Sequence, residues 1–155
     1  MENWQELTAL CETCGCSVRY AEPLRNHTTF RIGGNCGAFV SINSIETLRR
    51  VLALCREKQY PYLVLGNGSN VLAADSGYAG VILHLGHDFS GIQQKGSELF
   101  CESGATLARI GKYALEESLT GMECLAGIPG TVGGALYMNA GAYGGEMAQV
   151  LDGVS

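Results

Sequence analysis

The chain has 155 residues, enough for about one domain of ordinary size with its own hydrophobic core. Hydrophobic residues make up 46% of the sequence and charged residues only 16%, so the composition excludes an intrinsically disordered protein. The net charge of −5 is not accompanied by a basic cluster, which argues against a nucleic-acid partner.

The hydrophobic pattern predicts an α+β fold. In the first half it predicts a helix over residues 2–14 that ends at Gly15, followed by strands at 28–32 and 38–42 around a turn at 33–35. The next predicted element is a helix capped by Ser44, with an apolar stripe of Leu48, Val51, Leu52 and Cys55. A short buried strand at 62–65 and a strand at 81–85 complete this half. In the second half it predicts a hairpin of strands 92–95 and 98–101, a helix capped by Thr106 with Leu107, Ile110, Ala114 and Leu115 on one face, and the start of a strand at 149–154.

A stretch without charged residues runs from 124 to 145 and contains the GxxxG spacing typical of packed membrane helices. Pro129 and Asn139 interrupt it, so we do not expect it to cross a membrane. The amino terminus lacks the basic flank and apolar run of a secretory signal. The sequence therefore predicts a cytoplasmic protein without a membrane partner.

Three of the seven cysteines form a C-x-x-C-x-C pattern at Cys11, Cys14 and Cys16. A zinc or redox site is one interpretation, but a second ligand pair is missing and no strand precedes the pattern. Helical spacing instead places Cys11 and Cys14 on one face with Leu7 and Leu10. We expect these cysteines to pack in the core, without a metal, together with the isolated Cys36, Cys55, Cys101 and Cys124.

A glycine-rich loop follows the strand predicted at 62–65 and consists of Leu65, Gly66, Asn67, Gly68, Ser69 and Asn70. Glycines two positions apart allow positive φ and close approach by a ligand, and successive N–H groups in such a loop hold anions. An ordinary type I′ turn between antiparallel strands is the alternative, since Asn67-Gly68 suits that turn. The loop is not a dinucleotide-binding fingerprint, because Val71 stands where that motif requires glycine. It is not a Walker A loop either, because no Lys-Ser/Thr follows.

A second glycine-rich segment consists of Gly127, Ile128, Pro129, Gly130, Thr131, Val132, Gly133 and Gly134. Thr131 is predicted to cap a short helix beginning at Val132, and a helix N-terminus attracts phosphate. Gly133 and Gly134 are each about 1 kcal/mol worse than alanine within a helix, so a close neighbour must compensate for them. Tight helix–sheet packing is one explanation. Two such segments without Lys or Arg nearby favour a ligand held by backbone N–H groups.

Four segments, at residues 26–34, 65–70, 127–135 and 139–144, closely resemble the UDP-N-acetylenolpyruvoylglucosamine reductase family in their order and spacing. The resemblance implies an α+β flavin-binding fold of the vanillyl-alcohol-oxidase type, with FAD between two subdomains. It divides the chain into a lead-in at 1–22 and an FAD-binding domain at 23–155, with subdomains at about 23–86 and 87–155. The second subdomain is expected to be incomplete and the substrate-binding domain absent.

The family resemblance also implies an activity, which is the NADPH-dependent reduction of an enolpyruvyl UDP-sugar to UDP-N-acetylmuramate in peptidoglycan synthesis. By resemblance, residues 65–70 hold the FAD diphosphate, residues 127–134 hold the diphosphate and ribityl chain, and Asn139, Gly141, Ala142 and Tyr143 lie along the isoalloxazine.

The family's catalytic arginine, serine and glutamate are expected beyond Ser155, so no catalytic residue is assigned to this chain. Arg31 is placed in a predicted strand and Arg109 on a helix surface, and neither is given a role. Two alternatives remain: an FAD-binding fragment without activity of its own, and a phosphate-binding module without flavin.

Overall fold

The structure, a computed structural model, describes residues 4–155. The chain forms two compact units, the first ending at Phe89 and the second beginning at Ser90. The first unit contains α1 (Gln5–Cys14), β1 (Ser17–Tyr20), β2 (Cys36–Ile42), α2 (Ile45–Glu57), β3 (Tyr62–Leu65) and β4 (Tyr78–Leu85), with short 3-10 turns at Leu24–Asn26 and His87–Phe89.

The sheet of the first unit has the order β1-β2-β4-β3. The strands β2, β4 and β3 run parallel, and β1 pairs antiparallel with β2. The helix α1 and the strand β1 belong to this unit. The predicted start of α1 at Glu2 lies outside the described residues, whereas Gly15 ends the helix with φ +64° as predicted.

The central strands are buried on both faces, as expected for parallel strands between two layers. Ala38, Val40 and Ile42 pack with α1 and α2 in one cluster, and the alternate residue Phe39 packs with Leu65 and Ile82 in another. The predicted cap of α2 is confirmed, because the Ser44 hydroxyl accepts the Thr47 N–H at 3.1 Å.

The prediction that the cysteines pack in the core is confirmed for Cys11, Cys36 and Cys55, which are almost fully buried. The other four are only partly buried: Cys14, Cys16, Cys101 and Cys124. Burial raises the pKa of the Cys55 thiol to about 11 and raises that of Cys11 further. Among the described residues no three His, Cys, Asp or Glu side chains are grouped as metal ligands.

Three sequence predictions in this unit are wrong. Residues 28–32 form a bend and turn rather than a strand, and residues 33–35 are consequently not a hairpin turn. The antiparallel partner of β2 is instead β1, a mostly exposed strand without a hydrophobic alternation to reveal it. The strand β3 lies at the sheet edge, so Tyr62, Leu63 and Val64 are exposed and only Leu65 is buried.

The second unit contains the hairpin β5 (Ile92–Lys95) and β6 (Glu98–Cys101), the helices α3 (Leu107–Glu116) and α4 (Val132–Met138), the two-residue strands β7 (Gly141–Ala142) and β8 (Gly145–Glu146), and a 3-10 turn at Met147–Gln149. The hairpin and the Thr106 cap of α3 are confirmed. Its core contains Leu107, Leu125, Ala135 and Met147.

Two predictions for the second unit are wrong. The side chain of Leu115 is 78% exposed, because the buried face of α3 is complete with Leu107, Ile110 and Ala114. Residues 149–154 do not form a strand, since the 3-10 turn ends at Gln149 and no ladder follows it within the described chain. No helix among residues 4–155 is long and apolar enough to cross a membrane.

Candidate functional site

The loop of residues 66–70 follows the carboxyl end of β3, and the chain then returns through β4 in a parallel direction. A two-residue hairpin turn joins antiparallel strands only, so the parallel pairing excludes the type I′ alternative. The carboxyl ends of parallel strands are where open α/β sheets bind ligands.

The loop packs against residues 26–31, which are part of the predicted motif at residues 26–34. The Thr29 N–H donates to the Gly68 carbonyl at 3.2 Å. Gly68 has a φ of +62°, and a Cβ at this position would overlap the carbonyl oxygen of His27. Only glycine therefore allows the two motifs to approach so closely.

The two segments line an open cleft of about 470 Å³. One wall is formed by Asn26, His27, Thr28, Thr29 and Arg31, and the remainder by Gly66, Asn67 and His84. None of these lining residues is acidic, and amide, hydroxyl and guanidinium groups are hydrogen-bond donors. The cleft can therefore accept an anion with several oxygen atoms.

Two of the residues that line the cleft are histidines, His27 and His84, whose rings lie against the core residue Phe39. The His27 ring stacks on Phe39 with a centroid distance of 4.0 Å, and its Nε2 lies 2.7 Å from a carboxylate oxygen of Glu22. His84 lies 6.3 Å from His27 between ring centroids. Burial lowers the pKa of His84, and the nearby His27 and Arg19 lower it further.

Because the pKa of His84 is lower in the folded state, we expect the protein to lose stability as the pH falls from 7.5 to 5. Below about pH 6.5 the unfolded chain binds a proton at this histidine that the folded chain excludes. The variant His84→Gln should show a smaller loss across this range in urea unfolding. His87→Gln is the control, since the His87 side chain is 98% exposed. An unchanged pH profile in His84→Gln would contradict the assignment.

In the second glycine-rich segment, α4 begins at Val132 as predicted, but its first amides are already bonded. The Val132 N–H donates to the Ala105 carbonyl at 2.8 Å, and the Gly133 N–H donates to the Ser103 carbonyl at 2.9 Å. The side chain of Thr131 is buried and makes no capping bond. The prediction that Thr131 caps this helix is therefore wrong, and the N–H groups of Val132 and Gly133 are bonded to the chain itself.

The glycines of this segment divide into two kinds. A Cβ on Gly133 would lie 2.8 Å from the Cβ of Ser103, so tight packing explains this glycine. A Cβ on Gly134 would meet nothing closer than the Thr131 hydroxyl oxygen at 3.6 Å, and one on Gly127 would meet no atom within 4 Å. Packing within the described chain therefore gives no reason for glycine at 127 and 134.

The segment of residues 139–144 forms the end of α4 and a tight hairpin. Asn139 ends the helix in the left-handed region and accepts the Ala148 N–H through its side-chain oxygen at 2.9 Å. Tyr143 and Gly144 have φ of +52° and +85° and form the two-residue turn between β7 and β8. This turn leaves the Tyr143 side chain 93% exposed.

The expectation that no Lys or Arg lies near the glycine loops is wrong for the first loop, because Arg31 lines its cleft. Sequence reasoning missed Arg31 because residues 28–32 were predicted to be a strand. It also missed Asn26, Thr28 and Thr29, although their motif carried part of the family resemblance. His84 lies in a regular strand and has no sequence signal.

Comparisons with known proteins support the predicted family. A UDP-N-acetylenolpyruvoylglucosamine reductase of Geobacillus kaustophilus is 45% identical over 146 residues, which cover 94% of this chain and 48% of the relative. The same-named protein of Listeria innocua is 43% identical over 136 residues, covering 88% of this chain and 45% of the relative. The chain thus spans about half the length of the curated relatives it matches.

Solved structures agree with the predicted fold. The UDP-N-acetylenolpyruvylglucosamine reductase of Thermus caldophilus matches with a TM-score of 0.68 and 34% identity, over 86% of this chain and 45% of that one. At 20% identity, p-cresol methylhydroxylase shares the fold alone, with a TM-score of 0.57 over 74% of this chain and 24% of that one. A family model described as "FAD binding domain" matches residues 37–155. Since that match covers most of the sequence, the chain belongs to the FAD binding domain family.

Proposed function

We propose that the chain is the FAD-binding part of an NADPH-dependent reductase that converts UDP-N-acetylglucosamine enolpyruvate to UDP-N-acetylmuramate in peptidoglycan synthesis. The observation that carries the proposal is the cleft beside residues 66–70, which lies at the carboxyl end of a parallel strand and contains no acidic residue. Bound FAD supplies the hydride transfer between NADPH and the enolpyruvyl group, while the protein binds and orients the reactants.

The residues of the cleft fit a diphosphate group. Gly66 has no side chain to obstruct an approaching phosphate, and Asn67 adds amide donors beside it. In the second unit, Gly127 and Gly134 leave space that the described chain does not fill. These features support the proposed contacts of residues 65–70 with the diphosphate and of residues 127–134 with the diphosphate and ribityl chain.

The proposed contacts with the isoalloxazine are Asn139, Gly141, Ala142 and Tyr143. Asn139 holds its backbone turn through the bond to Ala148, which fixes where the following hairpin begins. The proposed compartment is the cytoplasm, where thiols stay reduced, and all seven cysteines are free.

The first experiment is a visible spectrum and a calorimetric titration of the purified chain with FAD. We expect stoichiometric binding and a flavin absorption band. A folded protein that binds no FAD would overturn the proposal. If such a protein still bound inorganic pyrophosphate, it would be the phosphate-binding module without flavin.

A second experiment tests whether Gly134 contacts FAD. The variant Gly134→Ala is expected to weaken FAD binding at least tenfold without loss of stability. Its methyl group makes only an ordinary contact with the protein, and alanine favours the helix by up to about 1 kcal/mol. Gly133→Ala is the matched variant, expected to lower the urea midpoint because its methyl meets Ser103. Unchanged FAD affinity in a folded Gly134→Ala protein would remove position 134 from the proposed site.

A second candidate function is a flavin-binding module without activity of its own. It is favoured by the fact that the chain spans 45% and 48% of two of the reductases it matches. Both candidates predict FAD binding, and turnover distinguishes them.

A further inference from the structure

We propose that Arg31 binds a phosphate group of the cofactor and supplies the positive charge of the cleft beside residues 66–70. The inference rests on the proposed FAD binding and adds a residue to it. The wall of the cleft opposite the glycine loop would thus be part of the binding site, as well as a packing surface for the loop.

The position of Arg31 is fixed by a compact turn. Its N–H donates to the Thr28 carbonyl at 3.1 Å, and the buried Thr28 hydroxyl donates to the Ile32 carbonyl at 3.3 Å. Arg31 has a φ of +55°, a conformation that costs a non-glycine residue about 1–3 kcal/mol. The turn holds Arg31 in this conformation, and the bond from Thr29 to Gly68 ties the turn to the glycine loop.

Among residues 4–155, no ion pair neutralises the charge of Arg31. The nearest candidate in sequence, Glu22, is bonded to His27 at 2.7 Å and to Arg19 at 3.2 Å. An arginine in a cleft without carboxylates is suited to a phosphate, because its planar fork can donate two parallel hydrogen bonds to phosphate oxygens.

Neutral donors complete the site around this charge. Asn26 and Thr29 come from the same wall as Arg31, and Asn67 comes from the glycine loop. Their amide and hydroxyl groups can each donate to a phosphate oxygen that the guanidinium does not reach. The combination matches a diphosphate, whose several oxygens carry more than one negative charge.

The test compares Arg31→Gln with Arg25→Gln. Arg25 lies six positions earlier, is exposed, has no ion pair among the described residues and does not line the cleft. Since hydrogen bonds to charged groups contribute about 1.5–3 kcal/mol, Arg31→Gln should raise the Kd for FAD about 10- to 100-fold. Arg25→Gln should change it less than about twofold. Glutamine removes the charge while leaving a similar backbone strain, and urea unfolding of both variants checks folding.

Riboflavin and inorganic pyrophosphate separate a phosphate contact from a structural effect. Arg31→Gln should bind riboflavin as well as the parent chain does, should bind pyrophosphate more weakly, and should show a smaller salt dependence of FAD binding. Equal FAD affinities in the two variants, or an equal loss of riboflavin and FAD binding in Arg31→Gln, would overturn the role of Arg31. A parent chain that binds pyrophosphate but neither flavin would overturn the proposed function, and the pyrophosphate titrations would still decide the role of Arg31.

Discussion

Gly68→Ala is expected to destabilise the first unit by more than about 2 kcal/mol and to abolish FAD binding. The φ of +62° at this position strains any side chain, at a cost of about 1–3 kcal/mol. The added methyl would also overlap the backbone carbonyl of His27, which no change of rotamer relieves. The glycine loop and the segment of residues 26–31 would have to separate, and the cleft between them would be lost.

Gly15→Ala is the matched control for this variant. Gly15 belongs to the same unit and has a φ of +64°, but a Cβ there would meet no atom within 4 Å. The variant Gly15→Ala should therefore lower the free energy of unfolding by only about 1 kcal/mol, which is the cost of the left-handed backbone conformation, and it should leave FAD binding intact. Urea unfolding and FAD titration of both variants measure the difference. If both variants lost the same stability, the close approach of Gly68 to the His27 carbonyl would not be the reason that position 68 requires glycine.

Much of the fold could be predicted from local sequence. The helices α2 and α3 begin directly after Ser44 and Thr106, because the hydroxyls of these two residues accept a backbone N–H three residues later. The hairpin of β5 and β6 follows from the turn at Gly96, where φ is +62°. In each case a single residue type satisfies a local requirement of the backbone, so the signal is present in the sequence.

The wrong predictions concern features that depend on distant partners. Residues 28–32 have the composition of a strand, but Arg31 bonds back to Thr28 and Thr29 bonds to Gly68 instead of to a neighbouring strand. The strand β3 has the composition of a buried strand, and its exposure follows from its place at the edge of the sheet. Neither the bonding partner nor the place in the sheet can be read from a window of local sequence.

The candidate site also combines features that local sequence indicates with features that depend on distant partners. Glycine spacing predicts a ligand-binding loop at residues 65–70 with a type I′ turn as the alternative, whereas the reasons for individual glycines require coordinates. Gly133 is explained by Ser103, and Gly134 is not explained by any close neighbour. Arg31 was overlooked because an arginine in a predicted strand gives no indication that a turn will place it beside the glycine loop.

The largest expected effect concerns catalysis: the 155-residue chain loaded with FAD should form no UDP-N-acetylmuramate from NADPH and UDP-N-acetylglucosamine enolpyruvate. Reduction of the enolpyruvyl group develops negative charge beside its carboxylate, which requires an electrophilic group and a positioned proton donor. From the resemblance to the reductase family, we expect that the arginine, serine and glutamate for these roles are not among the 155 residues. Loss of a proton donor alone typically lowers a rate about 10²- to 10⁴-fold.

The assay must follow the product by mass spectrometry, because reaction of reduced flavin with oxygen also consumes NADPH. The full-length reductase of Geobacillus kaustophilus is the positive control and should form product under the same conditions. Remote binding of the nucleotide normally orients the reacting group, so adding arginine analogues or buffer acids should not restore activity to the short chain. Product formation at enzyme-like rates, by protein shown by its mass to end at Ser155, would place the catalytic residues within the 155 residues and make Arg31 and Arg109 the first candidates to substitute.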